Sequence, residues 1–208
     1  MPEPLSGRVA LARALFRIGA LRFGRFTVAG GESSSYYLDL GVVPSDAEAY
    51  QLALAACLAA VKQIGVGAFD VVAGVATAGV TVSSPVAYVL KKPMVYARRE
   101  EERHGAWKLE GAVRPGWRAL VIDGLVTTGE SMVSAVEALR RSGCTVEDAL
   151  VLVDRLEGGK ESLARSGVKL SAFVDVKELV ETLFQEKKVT KTDYQAALRQ
   201  LEGGRARA

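Results

Sequence analysis

The chain has 208 residues, of which 49% are hydrophobic and 25% charged, and its formal net charge is +3 at pH 7. This composition is typical of a soluble globular protein, the length fits one sizeable domain, and so small a charge does not by itself indicate nucleic-acid binding. No apolar run approaches the roughly 18 uncharged residues of a membrane helix, and the first residues lack the layout of a signal peptide, so we expect a cytoplasmic protein. Cys57 and Cys144 have neither metal-ligand spacing nor a disulfide framework around them, which predicts buried free thiols.

The N-terminal quarter predicts two helices with a hairpin between them. Apolar residues recur at helical spacing over positions 5–20. Two β-prone runs, 23–28 and 36–40, predict a hairpin that lies outside the main sheet. A capping box at positions 45–48 predicts the start of a long helix that reaches about Lys62.

From residue 69 onward, short apolar runs alternate with helical patterns. The predicted strands are residues 69–75, 94–97, 119–122, 149–153 and 170–174. The predicted helices are residues 80–90, 130–141, 176–183 and 193–201, followed by a frayed tail at 203–208. Strands that are apolar on both faces and alternate with helices predict an α/β fold, with a parallel sheet of about five strands flanked by helices.

We expect one structural domain with three parts. Residues 1–44 would form the N-terminal helix and hairpin, residues 45–187 the α/β core, and residues 188–208 a C-terminal helix and tail. The sequence contains no internal repeat and no low-complexity segment.

The most informative stretch is residues 123–131, between a predicted strand and a predicted helix. Ligands of open parallel sheets bind outside the carboxyl ends of the strands, where this turn falls, and a helix N-terminus favours an anion. Asp123 is placed to accept ribose hydroxyls, directly or through a metal. Hydroxyls and closely approachable backbone N–H groups come from Thr127, Thr128, Gly129 and Ser131. The stretch therefore predicts a site for a ribose 5-phosphate donor.

Other polar segments have two readings when they are taken by themselves. Residues 74–79 suit either an anion-binding turn or a plain turn between strand and helix. Arg98, Arg99 and His104 suit either a loop that closes over an anionic substrate or a solvated charged loop. Arg155 suits either a carboxylate ligand or a surface salt bridge to Glu157.

Five segments together resemble the type I phosphoribosyltransferases, and in particular the orotate phosphoribosyltransferase family, over about residues 26–183. Residues 119–131 resemble the ribose-phosphate motif, in which two acidic residues precede a Val/Ile-Thr-Thr-Gly turn. Residues 26–39 resemble the N-terminal hood, and residues 74–79 resemble the pyrophosphate loop. Residues 98–105 resemble the mobile catalytic loop, and residues 153–159 resemble the segment whose arginine meets the orotate carboxylate.

The resemblance implies transfer of ribose 5-phosphate from phosphoribosyl pyrophosphate to orotate, which gives orotidine 5'-monophosphate and pyrophosphate in pyrimidine (UMP) biosynthesis. It implies a type I phosphoribosyltransferase-like fold with a small N-terminal hood, and Mg²⁺ as cofactor. It also implies a homodimer whose mobile loop serves the neighbouring subunit's site. Neither nucleic acid nor a membrane is expected as a partner.

The resemblance also assigns roles to residues. It implies Arg99, His104 and Asp123 as catalytic residues, with Asp123 linked to the metal indirectly through the ribose hydroxyls. The implied donor site contains Thr77, Arg98, Arg99, His104, Asp123, Gly124, Leu125, Val126, Thr127, Thr128, Gly129, Glu130 and Ser131. The implied orotate site contains Tyr36, Tyr37, Thr127 and Arg155.

Two departures from the family pattern fall on the chemistry. Gly124 replaces the second acidic residue of the ribose motif, and Glu102 stands where the family has a lysine of the mobile loop. They leave open an alternative function, a catalytically impaired paralogue that binds phosphoribosyl pyrophosphate or a nucleotide as a sensor. A salvage transferase for another base is less compatible with Arg155, because uracil and purines have no carboxylate.

Overall fold

In the computed structural model, which describes residues 4–27, 33–99 and 107–205, a helix and a separate hairpin come first. Helix α1 (Pro4–Arg17) is followed by β1 (Leu21–Thr27) and β2 (Ser33–Leu38), which pair only with each other among the described strands. The predicted hairpin outside the main sheet is therefore confirmed. The helix predicted to reach residue 20 ends at Arg17, because Gly19 adopts a φ of 72°.

Helix α2 (Ala47–Ile64) begins one residue later than the predicted capping box requires. Ser45 closes a short 3-10 turn, Leu40–Ser45, so its backbone is not free to cap the helix. Asp46 is the N-cap instead, and its carboxylate accepts a hydrogen bond from Ala49 N–H at 2.9 Å. The predicted Ser45 capping box was therefore wrong, although the helix itself was predicted.

The remaining elements alternate as expected. The strands are β3 (Val71–Val75), β4 (Met94–Arg99), β5 (Trp107–Glu110), β6 (Arg118–Val126), β7 (Thr145–Asp154) and β8 (Lys169–Asp175). The helices are α3 (Ala78–Leu90), α4 (Glu130–Arg141), α5 (Gly159–Arg165), α6 (Val176–Gln185) and α7 (Lys191–Arg205). The strand order is β5-β4-β3-β6-β7-β8, and all neighbouring strands are parallel except β5, which is antiparallel to β4.

The predicted α/β class is confirmed, with four differences in detail. The sheet has a sixth strand, β5, whose charged Trp-Lys-Leu-Glu sequence does not have the apolar pattern of a buried strand. Strand β6 continues past Asp123, because Leu125 and Val126 still pair with β7. Helix α5 was not predicted. The frayed tail predicted from Gly203 was wrong up to Arg205, because buried Leu201 anchors the last turns of α7.

Both faces of the sheet are buried in apolar clusters. Leu120 and Ile122 of β6 face a cluster with α1, α2, α3, α6, α7 and the hairpin, whereas Ala119 and Val121 face a cluster with α4 and α5. Both cysteines are free and buried, as predicted. In the part of the chain that the structure describes, no helix combines the length and apolarity needed to cross a bilayer. This packing fixes the carboxyl ends of β3, β6 and β7 along one edge of the sheet.

Candidate active site

The turn between β6 and α4 has the geometry of an anion site. Helix α4 begins at Glu130, as predicted, and no described side chain caps it. Thr128, Glu130 and Ser131 are exposed around its first turn. The first backbone N–H groups of a helix have no partner within the helix, and its dipole is positive at this end. The turn therefore offers hydroxyl and N–H donors to a phosphate.

Gly129 is required in this turn for two reasons. Its φ of 86° lies in the left-handed region, and a Cβ here would lie 3.1 Å from both Cα and the carbonyl oxygen of Gly159. Gly159, the first residue of α5, is packed even more closely, because a Cβ there would lie 2.4 Å from Cγ2 of Val126 and 2.7 Å from the carbonyl oxygen of Thr127. The starts of α4 and α5 thus hold the turn from both sides. The contribution of Gly159 was not predicted, although the Gly-Gly pair at 158–159 is a sequence signal from which it could have been found.

Asp123 lies below this turn, on β6. Its Oδ1 accepts a hydrogen bond from the backbone N–H of Gly124 at 2.7 Å. Burial raises the pKa of Asp123 to about 7, and the hydrogen bonds from the N–H groups of Gly124 and Leu125 only partly oppose this effect. The side chain keeps some contact with solvent. A ligand whose hydroxyl groups donate hydrogen bonds to the ionised carboxylate would replace the hydrogen bonds from water that burial removes.

The first turn of α3 packs directly on Asp123. A Cβ on Gly79 would lie 2.8 Å from Oδ1 of Asp123 and 3.0 Å from the carbonyl oxygen of Ile122. Thr77 precedes α3 and is exposed, and the peptide bond between Ala76 and Thr77 is cis. The two loops predicted to hold pyrophosphate and ribose phosphate, 74–79 and 123–131, therefore meet at Gly79.

Replacing Gly79 by alanine is expected to lower the free energy of unfolding by about 1 to 3 kcal/mol, because the added methyl group overlaps Asp123 and the backbone of β6. Gly67→Ala is the matched control, since a Cβ at Gly67 has no described heavy atom within 4 Å. Urea unfolding of both variants checks this. A Gly79→Ala variant as stable as Gly67→Ala would contradict the close approach of α3 to β6.

A cavity of about 1100 Å³ adjoins α3 and the end of β4. Thr77, Arg98 and Arg99 line it, so three residues of the predicted donor site share one cavity. Arg98 donates from Nε to Glu110 of β5 at 2.8 Å, and this hydrogen bond lowers the pKa of Glu110. Arg99 is exposed at the end of β4. The predictions for His104 and Glu102 lie outside the described residues.

Arg155 follows β7 and is held from three sides. Its backbone N–H donates to the carbonyl oxygen of Val126 at 3.0 Å, its Nη2 lies 2.7 Å from Oε1 of Glu157, and its guanidinium lies over the ring of Tyr36, 5.3 Å from the centroid. Only 15% of the Arg155 side chain is exposed, so the salt bridge to Glu157 exists but is not a surface one.

Two polar atoms of this group are buried without a described hydrogen-bond partner. They are Nε of Arg155 and Oη of Tyr36. Burial raises the pKa of Tyr36, and the nearby charge of Arg155 opposes the rise. Because buried polar atoms of native proteins are nearly always hydrogen-bonded, these two atoms indicate a place for a polar ligand.

Tyr37 has different neighbours from Tyr36, since successive residues of a strand point to opposite faces. Its ring lies 5.7 Å from that of Phe26, and the guanidinium of Arg22 lies 4.9 Å from its centroid. The structure thus brings Tyr36 to Arg155 and places Tyr37 on the other face of the hairpin. An orotate contact from Tyr37 stays a prediction.

Gly124 is not imposed by the fold. A Cβ at this position would make only ordinary contacts, the nearest with Cδ1 of Leu40 at 3.5 Å. The described residues also contain no group of three or more His, Cys, Asp or Glu side chains that could hold a metal ion. Asp123 therefore has no second carboxylate beside it in the ribose motif, because Gly124 occupies that position.

The predicted phosphate subsite and the predicted orotate subsite lie on adjacent strands. Val126 of β6 pairs with Asp154 of β7, so the phosphate turn and Arg155 leave adjacent strands at the same level. An anion at the start of α4 and a carboxylate at Arg155 would be neighbours. The arrangement suits a reaction between a phosphorylated sugar and a small carboxylated partner.

Comparison with known proteins identifies the family. Residues 54–181 match the family model of the phosphoribosyl transferase domain. An orotate phosphoribosyltransferase from Cenarchaeum symbiosum is 40% identical over 167 residues, which cover 79% of this chain and 84% of the relative. The crystal structure of orotate phosphoribosyltransferase from Aeropyrum pernix has a TM-score of 0.78 and 39% identity, and the match covers 84% of this chain and 98% of that one. The structure of Leishmania donovani UMP synthase has a TM-score of 0.82 and 32% identity over 94% of this chain and 42% of that one. The chain belongs to the orotate phosphoribosyltransferase family.

Proposed function

We propose that this protein transfers the ribose 5-phosphate group of phosphoribosyl pyrophosphate to orotate, giving orotidine 5'-monophosphate and pyrophosphate in de novo pyrimidine biosynthesis. The observation that carries the proposal is the adjacency of an anion-binding turn on β6 and a buried arginine on β7. The similar proteins named above are orotate phosphoribosyltransferases and a UMP synthase, which favours turnover over a ligand sensor.

The donor would bind along the carboxyl edge of the sheet. Residues 127–131 would take the 5-phosphate at the start of α4, and Asp123 would accept the ribose hydroxyls. Thr77, Arg98 and Arg99 would face the pyrophosphate, which is supported by their shared cavity beside α3. The family also implies His104 as a member of this group.

Orotate would bind between the hairpin and β7. Its carboxylate matches the fork of Arg155, and Thr127 lies on the loop between the two subsites. The buried Oη of Tyr36 and Nε of Arg155 support a polar, planar ligand here, since each lacks a described hydrogen-bond partner. A base without a carboxylate would offer Arg155 no anionic partner besides Glu157, so uracil and purines would gain less from this site than orotate.

The reaction needs charge stabilisation more than acid–base catalysis. The bond between the anomeric carbon and the pyrophosphate oxygen breaks, and pyrophosphate leaves with the electron pair. A ring nitrogen of orotate then forms the new bond to an oxocarbenium-like centre, and the proton of that nitrogen passes to the released pyrophosphate or to water, without a covalent enzyme intermediate. Arg99 would stabilise the charge on the departing pyrophosphate.

Mg²⁺ is the cofactor that the family implies, and the described residues could supply only a few of its ligands. Asp123 supplies one carboxylate, and the described residues supply no cluster of three, so most ligands of the ion would come from substrate oxygens. When bound, the ion would neutralise charge on the pyrophosphate group. Asp123 would act through the ribose hydroxyls.

We also propose that the protein is a cytoplasmic homodimer. On α3, beside the donor cavity, Tyr88 is 85% exposed and Val89 is 49% exposed. The dimer itself is what membership of the family implies, and these two exposed side chains are available to a partner chain beside the cavity. Within each subunit, residues 45–187 would form the catalytic core, with residues 1–44 and 188–208 packed around it.

The direct test is a spectrophotometric assay with orotate, phosphoribosyl pyrophosphate and Mg²⁺, which follows the loss of orotate absorbance. We expect turnover with orotate and none with uracil or adenine, and we expect EDTA to remove the activity and excess Mg²⁺ to restore it. Tight donor binding without turnover in a parallel calorimetric titration would contradict the enzyme function and favour the sensor.

A further inference from the structure

The C-terminal helix α7 is joined to the hairpin by the side chain of Gln200. Its Oε1 accepts hydrogen bonds from the backbone N–H of Ser35 at 2.7 Å and from Oγ of Ser35 at 2.8 Å. Its Nε2 donates to Oγ of Ser34 at 2.9 Å. One amide group thus engages both the backbone and the side chains of β2.

These contacts continue to the predicted base site. Ser34 is buried, and its Oγ donates to the carbonyl oxygen of Tyr36 at 2.6 Å. Tyr36 is also buried, and its ring lies beneath the guanidinium of Arg155. A chain of direct contacts therefore runs from Gln200 through Ser34 to Tyr36 and Arg155.

The hairpin needs such support because of its size. Strands β1 and β2 form a sheet of their own, and neither pairs with a described strand of the six-stranded sheet. An isolated two-stranded hairpin is marginally stable in water. Packing must therefore determine where β2 lies relative to β7, and with it the position of Tyr36 relative to Arg155.

Helix α7 is itself fixed on the core. The ring of Tyr194 stacks on that of Phe184 in α6 at 4.1 Å between centroids, and Ala197 and Leu201 are buried. Helix α6 follows β8 directly, and its N-terminus is closed by a capping box of Asp175 and Glu178. The position of α7 is thus tied to the sheet that carries Arg155.

We propose that α7 positions the base-binding side of the hairpin, with Gln200 as a positioning residue that maintains the contact between Tyr36 and Arg155. This inference rests on the proposed function, because it assigns orotate to the Tyr36–Arg155 site. Gln200 acts through β2, and no described hydrogen bond joins residues 33–38 to the donor turn. Its loss should therefore weaken orotate recognition and leave donor binding unchanged.

The test compares Gln200→Leu, Gln200→Glu and the control Gln195→Leu. Leucine removes all the hydrogen bonds to β2, whereas glutamate keeps the acceptor for Ser35. Gln195 is an exposed residue of the same helix. We expect Gln200→Leu to raise the KM for orotate about tenfold, with the KM for phosphoribosyl pyrophosphate within about twofold of the wild type. Gln200→Glu should recover most of the loss, and Gln195→Leu should match the wild type.

Hydrogen–deuterium exchange gives a second readout that does not depend on activity. Gln200→Leu should speed exchange of residues 33–38, and Gln195→Leu should not. An active Gln200→Leu enzyme with an unchanged KM for orotate would overturn the positioning role, as would an equal rise of both KM values. An inactive wild type would overturn the proposed function alone, and unchanged exchange of β2 in Gln200→Leu would then overturn the support of the hairpin as well.

Discussion

Replacing Arg155 by alanine is expected to weaken orotate binding about 100-fold, while the affinity for phosphoribosyl pyrophosphate stays within about twofold of the wild type. The guanidinium is mostly buried and lies on the ring of Tyr36, so a bound carboxylate would form charge-assisted hydrogen bonds in a site of low polarity. Glu157 lies 2.7 Å from Nη2, so a carboxylate already contacts one nitrogen of the guanidinium, while Nε has no described hydrogen-bond partner. Isothermal titration calorimetry with each ligand checks the effect.

Arg165→Ala is the matched control for this change, because Arg165 is an exposed arginine of α5, close to Arg155 in the sequence. Arg155→Lys adds a finer test, since it keeps the positive charge and loses the planar fork. We expect the lysine variant to bind orotate more weakly than the wild type and more tightly than the alanine variant. Full orotate affinity in Arg155→Ala would remove the main reason for assigning orotate to this site.

The main sheet and the phosphate turn were predictable because their signals are local. The runs that became β3, β6 and β7 are apolar at every core position, and only a sheet covered on both faces buries such strands. The start of α4 at Glu130 follows from Gly129, whose left-handed φ a glycine accommodates most easily. The phosphate turn is formed by residues that are adjacent in the sequence, so its pattern could be recognised without the structure.

The rest depends on contacts between distant segments. Trp107–Glu110 alternates apolar and polar residues, but the run is only four residues long, and β5 is recognised as a strand only through its pairing with β4. The stacking of Arg155 on Tyr36 requires the hairpin to pack against the end of β7. Gln200 looks like any polar residue of a C-terminal helix until its hydrogen bonds to Ser34 and Ser35 are seen. The family resemblance placed Tyr36 and Arg155 in one site, but their stacking and the role of Gln200 arise from packing that the sequence did not reveal.

Replacing Asp123 by asparagine is expected to abolish most turnover and to flatten the pH dependence of stability. The folded state raises the pKa of Asp123 from the ordinary value of 3.8 to about 7, chiefly through burial. Well below pH 3.8 the carboxyl group is protonated in both the folded and the unfolded chain, so its ionisation does not affect the free energy of unfolding. As the pH rises from 4 to 7, the unfolded chain releases this proton first, so the free energy of unfolding falls, by on the order of 4 kcal/mol in total.

Urea unfolding of the ligand-free protein between pH 4 and pH 8.5 measures this effect. Asp123→Asn cannot ionise at this position, so it should become more stable than the wild type above pH 7 and should differ little from it near pH 4. Glu137→Gln, an exposed carboxylate change on α4, should retain the wild-type profile. Parallel profiles for Asp123→Asn and the wild type would contradict the burial of a charge at this position. A variant that is more stable at neutral pH yet inactive would indicate that the folded protein tolerates an unfavourable carboxylate here because the ribose hydroxyls of the donor need it.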